Sequence, residues 1–124
     1  LMQLMPATAR RVAREYQMAA PSDKALIDPE TNISLGTGYL RMMLDDLSSN
    51  RILATAAYNA GPHRVKRWLP PDTMDADIWV ELIPFRETRL YVQRVMAYAA
   101  IYERRLGETP TRLSKRMRDI RAKG

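Results

Sequence analysis

The run ETRLYVQRVMAYAAIYERRL, Glu87 to Leu106, leaves little choice of backbone. Tyr91, Val95, Tyr98 and Tyr102 fall at i, i+4, i+7 and i+11, the spacing of one face of an α-helix, and nothing in the run alternates with the period of a strand. Arg89, Arg94, Arg104 and Arg105 supply its polar surroundings, and Gly107 followed by Pro110 ends it. The spacing predicts a helix over 87–106 with Tyr91, Tyr98 and Tyr102 on the packed side.

Working outward, every neighbouring segment reads the same way. Ala76 to Ile83 makes a short helix closed by Pro84, and Val65 to Leu69 another, ended by Pro70-Pro71-Asp72. Arg51 to Ala60 is an apolar helix stopped at Gly61-Pro62. From Ile33 to Leu47 a stripe runs through Leu35, Tyr39, Met43 and Leu47, flanked by Leu40 and Leu44. Asp28-Pro29-Glu30-Thr31-Asn32 is a turn that caps this helix. Gly36 and Gly38 inside it each cost about 1 kcal/mol relative to alanine, which suggests close approach of another backbone. Pro6 opens a first helix over Ala7–Ala20. No hairpin signal and no internal repeat is present, so the chain is expected to be all-α.

Composition narrows the class. The 124 residues suit one domain, with 46% apolar and 27% charged residues, near the averages of globular chains. No cysteine is present, which excludes disulfides, thiolate metal sites and a cysteine nucleophile, and His63 is the single histidine. No apolar run reaches the roughly 20 residues of a membrane-spanning helix. The net charge of +6 is unevenly placed: residues 112–124 hold six basic residues against Asp119, leaving 14 basic and 13 acidic residues before them. The basic end is expected to be a solvated terminal helix or frayed end. Contact with phosphates or anionic lipid is the less favoured reading, and no nucleic-acid partner is expected. The chain opens within an apolar run, Leu1-Met2-Gln3-Leu4-Met5-Pro6, without the pattern of a signal peptide, which reads as part of something longer.

Three patches stand apart from a plain helical core: Leu1–Pro6, Ala57-Tyr58-Asn59-Ala60-Gly61-Pro62, and Ile83-Pro84-Phe85-Arg86-Glu87-Thr88-Arg89. Each has an ordinary explanation. Gln3 and Asn59 could satisfy loop backbone, and Glu87 could oppose the helix dipole and pair with Arg86 or Arg89. Taken in order with Asp28–Ile33, however, the blocks Leu1–Ala9, Ala57–Pro62 and Ile83–Val92 resemble the soluble lytic transglycosylases of bacteria. The resemblance runs to about Leu113, and residues 114–124 form a basic tail without a transferable motif.

That resemblance implies a goose-type-lysozyme-like helical domain, here lacking its N-terminal portion, acting on peptidoglycan glycan strands in the periplasm or cell envelope without metal or cofactor. It implies one glutamate as both acid and base, forming a 1,6-anhydro ring on N-acetylmuramic acid. In the family that glutamate precedes the Leu-Met-Gln block, so it is expected upstream of Leu1, and residues 1–124 alone are expected not to cleave. By the same resemblance Tyr58 orients the catalytic carboxyl group, Gln3 and Met5 line the saccharide groove, Asn59 is structural or a weak sugar contact, and Glu87 accepts hydrogen bonds from substrate. Met2 and Leu4 are read as core and His63 as surface. A goose-type-lysozyme-like muramidase would share the fold but hydrolyse with water, and the fragment by itself could be a catalytically silent glycan-binding module. Membrane association would come only from upstream regions.

Overall fold

Prolines and short polar side chains set where the helices begin. In the computed structural model, which describes residues 2–109 and 117–122, α1 (Pro6–Glu15) has Pro6 in its first turn, where the missing N–H has no helical partner to lose. After the short α2 (Asp23–Leu26), α3 (Pro29–Asp46) starts on Asp28. The Asp28 carboxylate accepts from the Thr31 backbone N–H and hydroxyl, both at 3.0 Å, and these bonds hold it below the usual carboxylate range. The helix α4 (Arg51–Ala60) is capped by Asn50, whose Oδ1 accepts from Ile52 and Leu53 N–H at 3.0 and 3.1 Å. Gly61, at φ +93°, turns the chain into α5 (Pro62–Arg67). Helices α6 (Ala76–Glu81) and α7 (Arg86–Arg105) follow, and Gly107 at φ +77° ends the last.

The core is built around α4. Ile52 to Ala57 are buried without a break, and α4 packs on α3, α5 and α7. Leu35, Tyr39, Met43 and Leu47 form the buried stripe of α3, as their spacing predicts. Val12 and Ala13 bring α1 against α3, while Val92 and Met96 bring α7 against α4. Among the described residues there are seven helices and no strand beyond one antiparallel bridge, Met74 to Ile120. No described helix is long and apolar enough to cross a membrane.

The structure corrects four sequence expectations. Helix α1 ends at Glu15 rather than Ala20, because Gln17 takes φ +54° and the chain turns away. Tyr98 and Tyr102 are 56% and 62% exposed; the buried positions of α7 are Thr88, Val92 and Met96. The helix rolls so that its apolar face centres one residue beyond the tyrosine stripe. Gly36 and Gly38 admit side chains, not backbone: a Cβ at Gly36 would lie 2.5 Å from Met2 Cγ, and one at Gly38 would lie 3.0 Å from Val12 Cγ1 and Tyr16 Cε2. Finally, the described part of the basic tail is no solvated end, since Ile120 is 0% exposed and joins the core. The boundary at residue 113 and much of the basic run lie outside the described residues.

Candidate active site

Four sequence blocks far apart in the chain meet through side-chain amides and one phenol. Met2 N–H donates to Asn32 Oδ1 at 2.9 Å, and Asn32 Nδ2 donates to Leu26 carbonyl at 3.0 Å. Asn32 is buried, so these bonds replace the water it has lost. They fasten the Leu1–Pro6 block to the start of α3. The Met2 side chain then settles over Gly36, where any larger residue would displace it. From the other side, Tyr58 Oη donates to Met2 carbonyl at 2.7 Å. The next residue, Asn59, accepts from Thr88 Oγ1 at 2.7 Å and ties the end of α4 to the first turn of α7.

Beside these ties lies an open cavity of about 460 Å³ whose walls include Met2, Gln3, Leu40, Tyr58, Tyr91 and Val95. A second hollow of about 580 Å³ lies along Gln3, Met5, Pro6, Leu26 and Ile27. Gln3 borders both. It holds φ +53°, a left-handed backbone uncommon for a residue with a Cβ, and its side chain is exposed between the two hollows.

Tyr58 is half-buried and its ring tilts against Tyr39 at 5.2 Å between centroids. Burial, with Tyr91 and Tyr39 adding smaller effects, pushes its phenol up to about 12. Burial raises Tyr91 as well. Both phenols therefore remain protonated throughout the range in which a carboxylic acid works. Asp23 lines the second hollow, whereas the wall of the first cavity offers phenols, an amide, the Thr55 hydroxyl and apolar surface, with no carboxylate among its described residues. Such a lining suits a neutral, hydroxyl-rich ligand held by apolar contact and a few aimed hydrogen bonds.

The sequence-derived candidates divide accordingly. Gln3 and Tyr58 share the first cavity, and Met5, largely exposed, lines the second. Asn59 is half-buried and engaged with Thr88, one residue beyond the cavity wall. Glu87 is exposed in the first turn of α7, beside Thr88, and lies on neither wall. Arg89 does not pair with it; its guanidinium donates to the Ile83 carbonyl at 3.3 Å and the Glu81 carbonyl at 3.5 Å. The preceding Phe85 packs edge-on to Trp68 at 5.1 Å, with Arg64 at 4.9 Å over its ring, which fixes the entry to α7. Met2, read as core, is a half-buried wall residue, and His63 is exposed as expected. Tyr91 is the wall residue that its stripe concealed. It stands one turn after Glu87 and Thr88, and that proximity to the Ile83–Arg89 block was the signal for it.

Residues 1–78 match the model of the transglycosylase SLT domain, and residues 82–111 match that of the soluble lytic transglycosylase helical domain. The chain belongs to the transglycosylase SLT domain family. It is 46% identical over 117 residues to the soluble lytic murein transglycosylase of Escherichia coli K12, covering 92% of this chain and 18% of that protein. It is 44% identical over 105 residues to a putative soluble lytic murein transglycosylase of Haemophilus influenzae, covering 83% of this chain. Among solved structures, an inactive mutant of the lytic transglycosylase Slt from Pseudomonas aeruginosa superposes with a TM-score of 0.85 at 44% identity. That match covers 94% of this chain and 19% of the other. The 70-kDa soluble lytic transglycosylase of Escherichia coli gives the same TM-score at 40% identity, over 96% of this chain and 20% of that one. The chain thus spans about a fifth of the length of these relatives.

Proposed function

We propose that these residues form the glycan-binding wall of a peptidoglycan lytic transglycosylase, working in the cell envelope on the bond between N-acetylmuramic acid and N-acetylglucosamine. The relatives named for murein transglycosylation support the substrate class. The observation that carries the reading is the Tyr58 bond to Met2 carbonyl, because it joins two of the blocks that define the resemblance at the edge of one sugar-sized cavity. Residues 1–113 are taken as the domain and 114–124 as a basic tail, of which residues 118–120 bond to Ser49, Asn50 and Met74.

In this reading a glutamate from outside residues 1–124 enters the cavity as the single acid and base. It protonates the glycosidic oxygen as the bond to muramic C1 breaks. The muramic C6 hydroxyl then attacks C1, its proton returns to the glutamate, and a 1,6-anhydro ring closes. No second carboxylate is required, because the nucleophile belongs to the substrate, unlike the paired acids of ordinary glycosidases. With its own proton committed to Met2, the Tyr58 oxygen can only accept from the cavity side. It therefore favours a partner that carries a proton, such as the neutral carboxylic acid that the first step needs. Gln3 and Met5 contact successive sugars along the two hollows, Asn59 sets the position of Tyr58 relative to α7, and Glu87 accepts from substrate hydroxyls at the outer edge.

Replacing Tyr58→Phe in the complete protein tests this. The ring and its packing stay, while the donation to the Met2 carbonyl and the orienting acceptance from the acid both go. Turnover of glycan strands should fall roughly tenfold, a fraction of what a general acid itself contributes. Unchanged turnover would remove Tyr58 from the site.

A further inference from the structure

Helix α4 is tied at both ends by asparagines, and only one of those ties lies near the cavity. At its C-terminal end Asn59 accepts from Thr88. At its N-terminal end Asn50 does two things at once. Its Oδ1 caps the helix, while its Nδ2 reaches the carbonyls of Arg118 and Asp119 at 3.4 and 3.3 Å. The tail answers from its own side: Arg118 Nη2 donates to Ser49 carbonyl at 2.8 Å. Ile120 N–H and carbonyl bond Met74 carbonyl and N–H at 2.9 and 3.0 Å. Ile120 itself is fully buried, and Asn50 is a buried polar group whose hydrogen bonds are supplied by this arrangement.

The buried face of α4 explains why such ties matter. Between Ile52 and Leu53 at one end and Tyr58 at the other it carries Ala54, Thr55, Ala56 and Ala57. Small side chains offer few knobs to lock into neighbouring grooves, so packing alone resists sliding along the axis weakly. A rigid helix transmits an axial shift at its start to its last turn. We infer that Asn50, clasped by residues 118–120, is a positioning residue that sets the axial register of α4 and so the place of the Tyr58 hydroxyl at the cavity wall. This inference rests on the proposed function only for its readout in turnover. It gives the basic tail a task that its charge does not reveal.

Asn50→Ser and Asn50→Asp separate the two roles of Asn50. Both can still cap α4; aspartate has no donor for the Arg118 and Asp119 carbonyls, and the shorter serine, with one hydroxyl committed near its own backbone, cannot replace the two N–H groups of the amide. In the complete protein, well below its melting temperature, each should lose roughly fivefold or more in kcat with KM within about twofold, since misplaced groups cost turnover steeply. Val12→Ala, which loosens α1 against α3 away from the clasp, should keep kcat at an equal loss of melting temperature. Amide hydrogen exchange on the same proteins supplies a readout independent of activity. The Gly61 N–H, bonded to Ala57 carbonyl at the far end of α4, should exchange faster in both Asn50 variants and not in Val12→Ala. Exchange quickened only at Ile52 and Leu53, or an equal kcat loss in Val12→Ala, would overturn the inference. A complete parent protein that releases no anhydro product would count against the proposed function instead, while the exchange result would still decide the clasp.

Discussion

At Tyr58 a single hydroxyl joins stability to chemistry. Its phenol has an ordinary value of 10.0 and is pushed up to about 12 by burial, with Tyr39 and Tyr91 raised beside it. Between pH 10 and about 12 the folded chain keeps protons that the unfolded chain has released. The stability contributed is therefore complete below pH 10 and is lost as pH climbs through the folded value. Thermal melts should show the melting temperature declining across that window, and Tyr58→Phe should flatten the decline. An unchanged slope in the variant would place the titration elsewhere. Tyr98 is the contrasting residue. Being 56% exposed, it should tolerate Tyr98→Ala within about 0.5 kcal/mol by denaturant unfolding, where a core tyrosine would lose several.

At the scale of elements, periodicity and punctuation made the helices legible. Asp28-Pro29, Gly61-Pro62 and Pro84 bound real helix ends, and the Leu35–Leu47 stripe is buried as spaced. What periodicity could not supply is the roll of each helix. On α7 the tyrosines and the Thr88-Val92-Met96 set are both spaced helically, and only packing against α4 selects the second. The same limit hid Tyr91, which faces the cavity because the roll turns it there. Gly36 shows another element-level dependence, since Met2 occupies the space of its missing Cβ. Gly36→Ala should push the Met2–Gln3 segment outward despite improving local helix propensity. Glycan binding by the complete protein should weaken several-fold, whereas Gly38→Ala, whose neighbours lie at 3.0 Å, should leave binding close to wild type. Equal effects from both would mean that Met2 does not shape the cavity.

Across the whole molecule the order of four blocks was readable from the chain, and the hydrogen bonds that gather them were not. Asn32, Tyr58 and Asn59 are each plausible as local loop or helix residues, yet each bonds a partner 29 or more positions away. The clasp was less legible still, because a basic run with one isoleucine carries no local signal that Ile120 will be buried against Met74. The functional reading also reaches beyond these residues, which span about a fifth of the relatives they match. Its most direct test is mass spectrometry of the muropeptides that the complete protein releases from purified peptidoglycan. Products ending in 1,6-anhydro-N-acetylmuramic acid are the predicted result; free reducing ends, or no release by folded protein, would contradict it.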